Sequence, residues 1–160
     1  MRLLIAAVGK LKDDEERGIC ERYTKRLAVT GKAAGFGRLD VIELNESRAE
    51  TADARKSDEA LRLLKAAGSA TLKIALDVEG RAYASEVFAK LLGKHADAGV
   101  KTCAFLIGGP DGHGGDALKA ADFKLSLGSL TLPHGLARVV LIEQLYRAAT
   151  ILSGHPYHRA

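Results

Sequence analysis

The chain has 160 residues, 47% hydrophobic and 28% charged, which fits one globular domain over residues 1–160 and excludes a second full domain, general disorder or a fibrous repeat. A formal net charge of +4 permits a nucleic-acid partner and serves equally as ordinary solubility charge. No apolar stretch approaches the ~18 residues that cross a bilayer, and the only cysteines, Cys20 and Cys103, cannot form a disulfide framework, so the expectation is a soluble, cytoplasmic protein with no membrane contact.

Leu3 to Val8 is an apolar run closed by Gly9, too short for a secretory signal core, and reads as a first strand. Asp13 to Leu27 follows as a helix with an acidic start, which suits the positive end of a helix dipole. Thr30 to Gly37 has three glycines and few large apolar residues, the composition of a mobile surface loop. Leu39 to Leu44 is a second strand. Ser47 with Glu50 three residues on has capping-box form and opens a helix running to about Ala67, stopped by Gly68. Leu72 to Leu76 is a third strand. Val87, Phe88, Leu91 and Leu92 put one apolar face on a helix over Ser85 to Asp97. Cys103 to Ile107 is a fourth strand, in which Cys103 reads as an inert core thiol, and a short fifth lies around Lys124 to Leu127. Strands alternating with helices predict an α/β protein with a parallel, helix-covered sheet.

Leu136 to Leu152 is a helix with few polar directions; Arg138, Glu143, Gln144 and Arg147 are the exceptions, and Glu143 and Arg147 are spaced for an i, i+4 pair. A helix apolar on most sides must be covered on most sides. Either a subunit interface covers it or it is the central helix of a monomer.

Function is written most clearly in the last third. Leu106-Ile107-Gly108-Gly109-Pro110-Asp111-Gly112 ends a strand in a loop without bulky side chains, and Ser126-Leu127-Gly128-Ser129-Leu130-Thr131-Leu132-Pro133-His134 is a second such loop leading into a helix. Two bare loops brought together leave peptide N–H and C=O groups free to hold a flat polar ligand. The chain closes on His155-Pro156-Tyr157-His158-Arg159, where Tyr157 can stack on a base, Arg159 can bind phosphate and the histidines can exchange protons. The same tail also has the composition of an ordinary frayed terminus. His155 and His158 do not read as metal ligands, because Pro156 breaks regular geometry between them and no Cys or carboxylate completes a set. Gly112-His113-Gly114-Gly115-Asp116-Ala117 matches a dinucleotide-binding pattern. It does not follow a strand directly, and no acidic residue between Asp122 and Glu143 could hold a ribose.

Those segments, with Leu125-Ser126-Leu127, with Arg138 to Ala148, with Leu3 to Gly9 at the start and with Ala75-Leu76-Asp77 at a strand end, resemble the ribosomal RNA large subunit methyltransferase H family, the smallest of the SPOUT methyltransferases. The resemblance spans essentially the whole chain. It implies a SPOUT-type α/β fold with a C-terminal trefoil knot, S-adenosyl-L-methionine as cofactor, a homodimer, no metal, and methylation at N3 of a pseudouridine in 23S rRNA of the assembled ribosome. By that resemblance the cofactor lies against Leu76, Gly108, Gly109, Leu127, Gly128, Ser129, Leu130, Thr131 and Leu132. Tyr157 and Arg159 are expected to position the substrate and stabilise charge, with His155 or His134 as proton acceptor and the tail of one subunit completing the site of the other. Pro133 and Pro156 would fix their loops. Lys10, Lys12, Arg22, Lys25 and Arg26 are candidate phosphate contacts and equally an ordinary charged face. The Gly112 to Gly115 stretch is richer in glycine than is usual for the family, a departure read as local flexibility.

Overall fold

In a computed structural model of the chain, which describes residues 1–12 and 14–158, a sheet of five parallel strands is covered by helices on both faces. The elements run β1 (Arg2–Val8), α1 (Asp14–Thr30), a 3-10 turn (Gly31–Ala34), β2 (Leu39–Leu44), α2 (Ala52–Ala67), β3 (Leu72–Ala82), α3 (Ser85–Asp97), β4 (Thr102–Ile107), α4 (Gly115–Ala120), β5 (Phe123–Ser126), α5 (His134–Ser153) and a last 3-10 turn (Pro156–His158). The strand order is β2-β1-β4-β3-β5. β1 is buried from Leu3 to Val8, as a strand covered on both faces must be. Its alternation divides the core. Leu3, Ile5 and Ala7 pack with Leu27 of α1, Phe88 and Leu92 of α3, and Leu141 and Leu145 of α5. Leu4, Ala6 and Val8 face the opposite way, onto Leu63 and Ala67 of α2. No helix among the described residues is long and apolar enough to cross a membrane.

Most expected elements form where the sequence puts them, and four details differ for local physical reasons. α2 begins at Ala52 with Thr51 as its cap, the Thr51 hydroxyl accepting the Ala54 N–H at 3.1 Å. Ser47 is unavailable as a cap because its hydroxyl turns the local chain by accepting the Ala49 N–H, while its own N–H donates to Glu59 Oε1 at 2.8 Å. The segment from Thr30 to Gly37 is docked, not a loose loop. Phe36 is 2% exposed, the Gly37 N–H donates to the Met1 carbonyl, and the N-terminal ammonium donates to the Gly35 carbonyl. β3 continues to Ala82, its register against β5 slipping between Leu76 and Arg81. α4, too short to show a periodicity, was not expected at all.

α5 resolves the question its composition raises in an unexpected way. α1 and the Gly31–Ala34 turn lie against it, α3 also packs on it, and the sheet lies beneath, so Leu141, Ile142, Leu145, Tyr146, Ala148 and Ala149 are buried within one chain. Leu136, 44% exposed, is the large apolar side chain of this helix left most open. The expected Glu143–Arg147 pair forms at 2.8 Å. Apolar circumference alone therefore does not call for a partner.

Replacing the α2 cap tests the revised boundary: Thr51→Ala lowers unfolding free energy by about 1 kcal/mol in urea denaturation, while Thr51→Ser, which keeps the acceptor, loses a few tenths at most.

Candidate active site

Parallel strands all present their carboxyl ends on one side, and ligands of open α/β sheets bind in the crevice there. In this chain that crevice is a cleft of about 650 Å³. Val8 and Gly9 lie at the end of β1, Leu76, Asp77 and Val78 belong to β3, Ile107 ends β4 and Gly108 and Gly109 follow it, and Leu125 and Ser126 end β5 with Leu127 and Gly128 after them. Leu130 to Leu132 and the first turn of α5, through His134, close the far wall. Gly108 and Leu130 thus share one hollow. Every residue expected to line the cofactor lies on it except Ser129. Leu130 is 80% exposed, an apolar side chain held at the mouth with nothing over it.

The Gly-Gly-Pro loop owes its shape to α2. A Cβ on Gly109 would stand 2.6 Å from Oε2 of Glu59, whose carboxylate is 3% exposed. A Cβ on Gly114 would run into the Lys56 carbonyl. Arg55 grips Asp111 through Nε at 2.7 Å and Nη2 at 3.3 Å. The glycine excess from Gly112 to Gly115 is therefore, at Gly114, a packing requirement against a helix backbone, which corrects its reading as flexibility. Across the cleft, Ser126 Oγ donates to the Gly128 carbonyl and accepts the Gly128 N–H, folding the second loop back on itself.

Two histidines line the cleft, and sequence reasoning singled out only one as a site residue. His113 has Nε2 3.2 Å from the Leu106 carbonyl and a buried, unpartnered Nδ1. Burial pushes its pKa below the usual histidine value, outweighing Asp77 and the backbone bonds to Leu106 and Leu76. His134 sits at the start of α5 over Gly9, with Nε2 2.8 Å from Nη2 of Arg138. Burial, then the Arg138 charge, lower its pKa against the opposing pull of Glu46 and Glu43. Arg138 is 1% exposed; its Nη1 is bonded to Glu43 and its Nη2 also donates to the Gly9 carbonyl at 2.9 Å. Burial of Glu43 is opposed and outweighed by the Leu11 N–H and Arg138, which hold its carboxyl below the ordinary range. Arg138 and Glu43 escaped sequence reasoning as site residues, although a lone arginine inside the apolar face of α5 was the available signal.

The tail stands elsewhere. Tyr157 packs on Tyr146 at 4.6 Å between ring centroids, lies 5.1 Å under the Arg147 guanidinium, and donates its hydroxyl to Glu143 at 3.0 Å. Burial, then the bonds to Tyr23 and Glu143, raise its pKa. His155 is exposed, its Nδ1 accepting the Tyr157 N–H. Arg159 lies outside the described residues. His134 and the tail are at opposite ends of a helix of 20 residues, about 30 Å long at 1.5 Å per residue, so one chain does not bring them together. Among the basic residues, Lys10 and Lys12 line the cleft mouth, Lys25 borders a separate groove beside α1, and Arg26 lies over the Tyr23 ring at 5.7 Å. No group of three or more His, Cys, Asp or Glu suited to a metal ion occurs among the described residues.

The fold and the sequence have counterparts among known proteins. A probable methylase family protein from Haemophilus influenzae superposes with a TM-score of 0.51 at 14% identity, covering 99% of this chain and 70% of that one, a likeness of fold. Ribosomal RNA large subunit methyltransferase H of Brucella anthropi is 46% identical over 160 residues, covering all of both chains, and that of Rhizobium meliloti is 47% identical over 160 residues, again covering all of both. The family model described as "Predicted SPOUT methyltransferase" matches residues 1–158. With a sequence match that runs from end to end and a glycine-walled cleft at the strand ends, this chain belongs to the ribosomal RNA large subunit methyltransferase H family of SPOUT methyltransferases.

Proposed function

We propose that this methyltransferase transfers a methyl group from S-adenosyl-L-methionine to N3 of a pseudouridine in 23S rRNA of the assembled ribosome, working as a cytoplasmic homodimer whose C-terminal segment follows the knotted path of its family. The observation that carries the reading is the meeting of two side-chain-poor loops, Gly108–Gly109 and Leu127–Leu132, on one cleft. The chemistry of that cleft fits the cofactor. Gly109 brings bare backbone to the wall, with Glu59 occupying the space a side chain would take, and Leu76, Leu127 and Leu132 supply apolar surface for a flat ring. A volume of about 650 Å³ is within the range of small-molecule sites.

When bound, S-adenosylmethionine supplies a sulfonium-activated methyl group that an attacking nitrogen can take in line. The residues of the chain have the tasks of alignment and charge. Holding two reacting centres in line is worth roughly 7 kcal/mol or more, so rigid cleft walls supply much of the acceleration. Clamping of the first loop by Arg55 and Glu59 and of the second by Ser126 serves that end. Lys10 and Lys12, which line the cleft, are the candidate phosphate contacts next to the site, and Arg22, Lys25 and Arg26, on α1, are candidates further from it.

The 20-residue length of α5 supports assembly of the site from two copies. Tyr157, Arg159 and His155 act, in this reading, on the cleft of the second copy: Tyr157 and Arg159 position the base and steady its developing charge, and His155 or His134 takes the N3 proton. Release of Tyr157 from Glu143 and Tyr146 would accompany that docking.

Calorimetry gives S-adenosylmethionine binding and no NADH binding, and Gly109→Ala weakens the former about tenfold, a cost of roughly 1.4 kcal/mol; equal affinity in the variant removes the glycine wall from the site. Ribosomes from a strain lacking the enzyme gain one methyl by mass spectrometry when incubated with protein and cofactor, and free rRNA gains far less. An RNA left unmethylated while cofactor is bound sinks the proposed reaction. Tyr157→Ala lowers turnover at least about tenfold with cofactor affinity nearly kept; undiminished turnover removes Tyr157 from the mechanism.

A further inference from the structure

The contact between His134 and Arg138 decides which nitrogen of the imidazole carries the proton. A guanidinium is a donor at every nitrogen and has no acceptor, so the ring nitrogen 2.8 Å from Arg138 Nη2, Nε2, must offer a lone pair. The neutral ring then carries its proton on Nδ1. Turning the ring over would place a carbon against the guanidinium and forfeit that bond. Arg138 cannot swing away to relieve the arrangement. It is 1% exposed and fastened at the same time to Glu43 of β2 and to the Gly9 carbonyl at the end of β1. Glu43 is itself held by the Leu11 N–H at 3.0 Å.

The other ring nitrogen is open. Nδ1 has no hydrogen-bond partner among the described residues and is not a buried orphan, as the Nδ1 atoms of His113 and His158 are. His134 lines the cleft, as Lys10 and Lys12 do, and Nδ1 is the atom of its ring left free to meet a ligand there.

We propose that His134 is a hydrogen-bond donor, through Nδ1, to a carbonyl oxygen of the incoming nucleobase, with Arg138 as the positioning residue that fixes this tautomer; the choice of ligand rests on the function proposed above. N3 of a uracil-type ring lies between two carbonyl groups, and loss of its proton moves negative charge onto their oxygens. A fixed N–H aimed at such an oxygen is strengthened as the charge develops. The base oxygen is chosen over the cofactor carboxylate because His134 lies over Gly9, and the Lys10 and Lys12 that follow Gly9 in the cleft lining carry the charge that suits an RNA strand. His134 is thereby removed from the proton acceptors, leaving His155 of the tail. Protonation of His134 would set a second cation against Arg138. Glu43 and Glu46 oppose that repulsion without overcoming it, and Lys10, Lys12 and Glu16 are the remaining charged groups on this side of the cleft.

The test joins a spectrum with kinetics. In protein with 15N-labelled histidine, the resonances of His134, identified by their loss in His134→Asn, show Nδ1 protonated and Nε2 bare in the neutral ring. On ribosomes, His134→Ala loses about 100-fold in kcat, the scale of one removed oxyanion donor. His134→Asn, whose amide nitrogen takes the place of Nδ1, recovers most of that loss with the acid limb of the pH–rate profile unmoved. S-adenosylmethionine affinity stays within about twofold in both. An Nε2–H tautomer, an Asn variant no better than Ala, or an Ala variant that loses cofactor affinity as steeply as turnover overturns the proposal. A wild-type protein inactive on ribosomes sinks the proposed reaction instead, while the spectrum still decides the tautomer.

Discussion

A single buried guanidinium sets the geometry on which the cleft depends. Arg138 reaches from the second turn of α5 to Glu43 on β2 and to the Gly9 carbonyl at the end of β1. Burying a charge is costly unless it is paired and hydrogen-bonded, and here the cost is offset by a carboxylate and a main-chain carbonyl. The return is positional. α5 is pinned at the strand ends, so the segment just before it, Leu130 to Leu132, must cross in front of the loop that follows β4. Loss of the charge at Glu43 would leave the Arg138 guanidinium buried without its carboxylate, and the far wall of the cleft would be free to drift.

The opposite wall is fixed by different means. α2 presents Arg55, Lys56 and Glu59 along one side, and the loop from Gly109 to Gly114 fits against them because Gly109 and Gly114 bring no side chain to the closest points while Asp111 pairs with Arg55. One wall is held by charge and the other by close packing. Walls fixed in this way are a form of preorganisation, in which less needs to reorder when a ligand arrives.

Much of this was legible in the sequence because it depends on local signals. Apolar runs, an acidic helix start, glycine stops and one helical periodicity located the five strands and the four long helices, with β3 longer and α2 starting later than expected, and the glycine loops announced the cleft. The errors share a cause, namely long-range contact. Ser47 has the form of a cap, yet its N–H is claimed by Glu59, twelve residues away, and Thr51 takes its place. Gly31 to Gly37 has the composition of a loose loop, yet Phe36 and the N-terminus dock it. The apolar circumference of α5 left open whether a second subunit or the chain itself covers it, and α1 and α3 do so within the chain. Arg138 was visible only as a polar exception on an apolar helix, since nothing local says that Glu43, 95 residues away, will meet it.

In the proposed dimer, cleft and tail form one site contributed by two copies, because α5 separates them within a chain. Mixed dimers test this most directly. A copy carrying Gly109→Ala keeps a sound tail, a copy carrying Tyr157→Ala keeps a sound cleft, and each alone is impaired. If the site is shared, combining them rebuilds one intact site per mixed dimer, and methyl transfer to ribosomes returns to about half the wild-type rate per such dimer. Mixed dimers that form yet transfer no faster than the two impaired parents would contradict the account.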